Sequence, residues 1–182
     1  MPVSAHPAEV LVLNGSPGAG KSTVANAVAE RLRVAGLPHA VIDVDELARV
    51  FPETGDSALK WANLAAVWPN FVSVPGVKIV LPVLLDTDAD VRAIRAATPG
   101  ALMRICELTA EPATLAARVT EREPNQFWQA KLRGLVTSYA ARDEAGKVHD
   151  FRVATDGESV DAVVAEVLGQ LGWLNALEPR AL

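Results

Sequence analysis

Residues 15–22 read Gly-Ser-Pro-Gly-Ala-Gly-Lys-Ser, and they constrain the rest of the chain more than any other stretch. An apolar run at residues 10–13 precedes them and ends in Asn14, and a helical periodicity follows from Val24 to Leu32. Strand, glycine loop and helix are the context in which G-x-x-x-x-G-K-[S/T] holds phosphate. Gly15, Gly18 and Gly20 allow backbone conformations that a side chain penalises. The backbone N–H groups can then turn inward around an anion. The helix that follows adds unpaired N–H groups and a favourable dipole. Lys21 is placed to reach the β- and γ-phosphates, and the Ser22 hydroxyl is placed to ligate Mg²⁺. Ser16, Pro17 and Ala19 complete the loop, and Thr23 supports it, so residues 15–23 together are the expected nucleotide-binding segment.

Composition limits what surrounds this loop. A chain of 182 residues, half of them hydrophobic and 21% charged, is globular and suggests one domain over residues 1–182. The net charge of −5 gives no general support for nucleic-acid binding. Cys106 is the only cysteine, which excludes an intrachain disulfide and a cysteine-rich metal site. Residues 1–9 lack a signal-peptide pattern, and the apolar stretch 77–85 is too short to span a membrane. The expectation is a cytoplasmic protein, monomer or homodimer, with no membrane or nucleic-acid partner.

The rest of the chain alternates strand and helix. Strands are expected at residues 9–13, 39–42, 77–85, 101–108 and 149–154, with Pro82 ending or bending the third. Helices are expected at 21–35, 59–71, 89–96, 112–120, 126–141 and 160–171. Gly36 closes the first, Thr87 or Asp88 caps the third, and Ser159 caps the last. Residues 51–56 and 143–147 read as loops, 1–7 and 178–182 as loose ends, and Trp173 folds back over an edge. This pattern is an α/β fold: a five-stranded parallel sheet with helices on both faces.

The second strand ends in Asp43-Val44-Asp45. In a doubly wound sheet, the C-terminal strand ends carry the ligands, which places both acids near the phosphate loop. The plain alternative is that Asp43 caps a helix and Asp45 is a solvated first-turn acid. Arg118 and Arg122, four apart, share one helix face on a lid-like segment at about 118–130. Their alternative is surface pairing with Glu111 or Glu121. Trp61, Asn63 and Trp68 either line an acceptor pocket or pack in the core, and Arg92 and Arg95 read as surface residues. Cys106 reads as buried filler.

Together these residues suit in-line phosphoryl transfer from ATP to a small hydroxylated acceptor. Ser22 and Asp43 hold Mg²⁺. Asp45 orients the acceptor hydroxyl, and either Asp45 or Asp43 takes its proton. Lys21, Arg118 and Arg122 offset the charge on the moving group. An ATP-binding protein that acts through a partner, and a nucleoside or nucleotide kinase, are the rival readings.

From residue 10 to about 171 the chain resembles the small P-loop kinases of the shikimate, gluconate, adenylylsulfate and chloramphenicol phosphotransferase type. The phosphate loop, Asp43-Val44-Asp45 and the Arg118–Arg122 segment carry the resemblance. It implies a nucleoside-monophosphate-kinase-like three-layer fold with strand order 2-3-1-4-5, and ATP as the nucleotide. It also implies that Thr155 and Asp156 stand where such kinases touch the adenine. The glycine-rich substrate loop of shikimate kinases is replaced here by Leu81-Pro82-Val83-Leu84-Leu85, and no arginine matches their carboxylate clamp.

Overall fold

The computed structural model describes residues 7–52, 58–142 and 148–174. Five strands form one sheet: β1 (Glu9–Asn14), β2 (His39–Val41), β3 (Lys78–Pro82), β4 (Leu102–Thr109) and β5 (Phe151–Ala154). Their order is β2-β3-β1-β4-β5, and every pairing is parallel. β1 pairs on both sides and is covered on both faces, which is why its apolar residues run without alternation. Leu11 and Leu13 feed one core, with α1 (Lys21–Val34), α4 (Pro112–Arg122) and α6 (Val160–Leu171). Val10 and Val12 feed the other, with α2 (Ala58–Val72) and α3 (Asp88–Ala97). α5 (Gln126–Ala140) follows α4 across Pro124. No helix among the described residues is long and apolar enough to cross a membrane.

Helix ends follow local chemistry. Thr87 caps α3 through a capping box with Asp90, so Thr87 rather than Asp88 is the cap. Gly36, at φ 69°, ends α1 in a Schellman turn with Leu37 N–H bonded to the Leu32 carbonyl at 2.9 Å. Asn125, which the sequence reading did not single out, caps α5 through the N–H groups of Phe127 and Trp128. α4 runs to Arg122 rather than residue 120, which keeps Arg118 and Arg122 on one continuous face. Trp173 is buried in the first core rather than lying over an edge, with Lys78 Nζ 5.0 Å from its ring centre.

The third strand is shorter than its apolar stretch. It pairs with β1 as far as Pro82, and Val83 N–H still reaches the Leu13 carbonyl at 3.0 Å. Side chains then capture the next two N–H groups: Leu84 bonds Asp45 and Leu85 bonds Asn14. A run of hydrophobicity continues to Leu85, but the ladder does not. The fifth strand likewise starts at Phe151, because Asp150 bonds Ile105 N–H with its side chain at 2.7 Å. The loose ends expected at 1–7, apart from Pro7, and at 178–182 lie outside the described residues, as do the turn at 143–147 and most of the loop at 51–56.

Candidate functional site

The phosphate loop joins β1 to α1 at the C-terminal edge of the sheet. Gly15, Gly18 and Gly20 have φ of 143°, 85° and 91°. A Cβ on Gly15 would lie 2.5 Å from the Leu108 carbonyl oxygen, and one on Gly18 would lie 2.7 Å from that of Leu115. The loop is therefore clamped between β4 and α4. Gly20 occupies the N-cap of α1, where no side chain caps the first turn. Its N–H groups remain free for an anion. The Ser16 hydroxyl is buried with no hydrogen-bond partner among the described residues. This cradle of orphaned donors fits a nucleotide's phosphates.

Lys21 Nζ donates to the Gly15 carbonyl at 2.8 Å and the Ser16 carbonyl at 3.4 Å. Burial pushes its pKa down to about 8; Asp45 and Asp43 oppose that shift, while Arg122 and Lys60 add to it. A phosphate oxygen needs the ammonium form. Nucleotide affinity is thus expected to be highest below pH 8 and to fall as pH rises through that value. Above it the limit is about tenfold per pH unit. Titration calorimetry across that range checks this, and an affinity independent of pH would refute it.

The two strand-end acids divide. Asp43 Oδ2 accepts from Ser22 Oγ at 3.0 Å. Asp45 Oδ1 accepts from Lys60 Nζ at 3.3 Å, and its Oδ2 accepts from Leu84 N–H at 3.2 Å. The capping alternative does not hold. The 3₁₀ turn Glu46–Ala48 starts at Asp45 without a side-chain cap bond, and Asp43 bonds Ser22 instead. Among the described residues no three His, Cys, Asp or Glu side chains cluster as a metal site. Ser22 and Asp43 alone suit Mg²⁺, which keeps waters and takes phosphate oxygens as its other ligands.

A cavity of about 300 Å³ opens beside the loop, between Gly18, Ala19, Thr23 and Val24 on one side and Arg118, Arg122, Thr155, Glu158, Val160 and Val163 on the other. Arg118 does not pair with Glu111 or Glu121. Its guanidinium donates to Thr155 Oγ1 at 3.0 Å, the Thr155 carbonyl at 2.9 Å and the Gly18 carbonyl at 3.4 Å. That plane forms a wall on which a flat base can stack. Arg122, one turn on, lines the same cavity and is close enough to Lys21 to lower its pKa. Asp156 is elsewhere: its Oδ2 accepts from Glu111 N–H at 2.8 Å, tying β5 to the start of α4, and Glu158 lines the cavity in its place.

The remaining candidates are structural. Trp61 and Trp68 are buried, and Asn63 Nδ2 donates to the Leu47 carbonyl at 2.7 Å. Arg92 and Arg95 are exposed. Burial pushes the Cys106 thiol up to about 12, so it is no nucleophile at neutral pH.

Sequence reading passed over Lys60, Asn14 and Glu107. Glu107, 1% exposed, accepts from Tyr139 Oη at 2.7 Å and Arg152 Nε at 2.8 Å. His149 Nδ1 lies 3.3 Å from Glu107 Oε2, close enough for attraction when protonated but not a well-directed hydrogen bond. Glu107 stands opposite Asn14 in the sheet, at the root of the phosphate loop. A carboxylate between the apolar Cys106 and Leu108 was the available signal.

A family model described as Zeta toxin matches residues 2–68. No curated protein matches the chain. Among solved structures the chain is similar to an APS kinase of Mycobacterium tuberculosis determined with AMPPNP and APS, at 22% identity and a TM-score of 0.64 over 91% of this chain and 98% of that one. It is similar to a gluconokinase from Sinorhizobium meliloti at 22% identity and a TM-score of 0.61, over 91% and 92% of the two chains. The Deinococcus radiodurans tunicamycin resistance protein reaches a TM-score of 0.65 at 16% identity, over 91% and 96%. Strand order, phosphate loop and these neighbours agree: the chain has the fold of the small P-loop kinases.

Proposed function

We propose that the protein is an ATP-dependent phosphotransferase acting on a hydroxyl group of a small molecule. The observation that carries this reading is the division of the two acids at the end of β2. Asp43 is bonded to the loop serine, on the nucleotide side. Asp45 is held instead by Lys60 and by the Leu84 N–H just past β3. Kinases of sugars and of adenylylsulfate among the structural neighbours support the same reading.

When bound, Mg·ATP supplies the phosphoryl group and the metal's charge. The loop N–H groups and Lys21 would hold the β- and γ-phosphates, Ser22 and Asp43 would hold the metal, and Arg118 would flank the base. Asp45 aligns the acceptor hydroxyl and takes its proton as that oxygen bonds to the γ-phosphorus and the bond to the bridging oxygen breaks. Arg122 offsets the charge that develops. The segment at about 118–130 closes as a lid over the nucleotide and excludes water, the competing acceptor.

The test is ADP release from Mg·ATP with a panel of sugars, polyols, nucleosides and hydroxylated antibiotics. Asp45→Asn is expected to lower acceptor-dependent turnover by about 10²-fold or more. Nucleotide affinity should fall far less, because Asp43 and not Asp45 bonds the loop serine, and Lys21 loses only one of the two acids that favour its proton. A protein that binds ATP yet shows no acceptor-dependent turnover refutes the proposal and favours a nucleotide-binding module.

A further inference from the structure

Lys60 stands where helix electrostatics disfavour a lysine. It lies in the first turn of α2, at the positive end of the helix dipole, and that turn holds no acidic residue. A solvated ammonium would suit such a place best. Instead only 13% of the side chain is exposed. The ammonium lies 4.6 Å from the centre of the Trp61 ring, donates to Asp45 Oδ1 at 3.3 Å and reaches the Leu84 carbonyl at 3.5 Å. Ordering a lysine in this way costs rotamer freedom as well.

The arrangement yields a carboxylate fixed from two sides. Asp45 Oδ1 takes the Lys60 bond, and Oδ2 takes the Leu84 N–H at 3.2 Å. The two donors come from separate elements, α2 and the segment past β3. That segment is itself pinned, since Leu85 N–H bonds Asn14 and the Leu85 carbonyl accepts from Arg142. A carboxylate has about four lone-pair sites, so each oxygen keeps one open. Lys21 and Arg122 are the other cations in this region, but they are engaged elsewhere. Lys21 bonds the loop carbonyls, and Arg122 lines the base cavity. Of the three, Lys60 is the one bonded to Asp45. Without that bond a nearly half-exposed aspartate would turn among several rotamers.

We propose that Lys60 is a positioning residue for the phosphoryl transfer. It holds the Asp45 carboxylate in the orientation from which the open lone pairs meet the acceptor hydroxyl. It acts through Asp45 and not on the acceptor or the phosphates. This inference rests on the phosphotransferase reading above and extends the role given there to Asp45.

The test is a double-mutant cycle of Lys60→Met and Asp45→Asn. Methionine keeps an unbranched apolar stem over Trp61 and removes the charge. ADP release from Mg·ATP is measured with each sugar, polyol, nucleoside and hydroxylated antibiotic of the panel, beside ATP binding by calorimetry and thermal unfolding. Lys60→Met is expected to lower acceptor-dependent kcat by about 10–10²-fold, the loss that follows when a reacting group is misplaced. ATP affinity should stay within a few-fold of wild type, because Lys60 is the weakest of the influences on Lys21. In the Asp45→Asn background the same change should cost less than about twofold. An undiminished loss in that background means that Lys60 acts on the reacting groups by itself, and it overturns the inference. Wild-type turnover in Lys60→Met overturns it too, as does a fall in Tm and ATP affinity that parallels the fall in turnover. Each of these results leaves the phosphotransferase reading standing. Wild-type protein that binds ATP and responds to no acceptor overturns that reading and this inference with it.

Discussion

Lys21→Ala is expected to lower acceptor-dependent turnover by about 10²–10³-fold, the loss typical when one preorganised donor to developing charge is removed. Three features make this residue hard to replace. Its half-buried ammonium sits within reach of the Gly15 and Ser16 carbonyls, where a phosphate oxygen would meet it. Its neighbours Asp43 and Asp45 draw the proton onto it against burial. Its position on the first turn of α1 lets it act with the uncapped N–H groups there. Lys21→Arg should not restore activity, because a planar fork does not fit a pocket shaped for a compact charge. Single-turnover kinetics with Mg·ATP checks both variants. Activity of Lys21→Ala within a few-fold of wild type would remove the loop from the chemistry.

Glu107→Ala is expected to destabilise the fold by about 3 kcal/mol, since it removes the acceptor of a buried hydroxyl and an acidic partner of a partly buried arginine. For a chain of this size that is a fall of roughly 6–12 °C in Tm. The cost arises from geometry on the page. The carboxylate is 1% exposed and takes bonds from α5 through Tyr139 and from β5 through Arg152. Tyr139→Phe, which removes one bond and leaves the acid with Arg152, should cost about 1 kcal/mol. Thermal unfolding of both variants decides the matter. Equal and small shifts would show that the carboxylate is not the tie between α5 and the sheet. The hydroxyl of Tyr139 is itself held protonated, its pKa pushed upward by burial first and by Glu107 second. It is therefore a donor to Glu107 at neutral pH.

Sequence patterning reached far into this fold because parallel sheets leave a coarse trace. β1 is covered on both faces, so its apolar residues are continuous, and the loop after it is fixed by three glycines at positive φ. The Asp43–Asp45 pair was legible for the same reason: acids at the end of an apolar strand lie at the edge where ligands bind. Boundaries were less legible where side chains compete with the ladder. Nothing in residues 81–85 announces that Asp45 and Asn14 take the N–H groups of Leu84 and Leu85. Asp156 shows the same limit. Its place after β5 was right in the chain, but its carboxylate turns to Glu111 N–H, and Glu158 takes the cavity wall.

The sequence by itself determined the phosphate loop, the alternation of strands and helices, and the two acids after β2, because each depends on residues near one another in the chain. Tertiary structure alone decided what those groups do to each other. Lys60 reaches Asp45 across 15 residues, Arg118 reaches Thr155 across 37, and Glu107 gathers partners from 32 and 45 residues away. Such contacts are set by how the layers pack and by which charges burial forces to find partners. No local pattern encodes that choice.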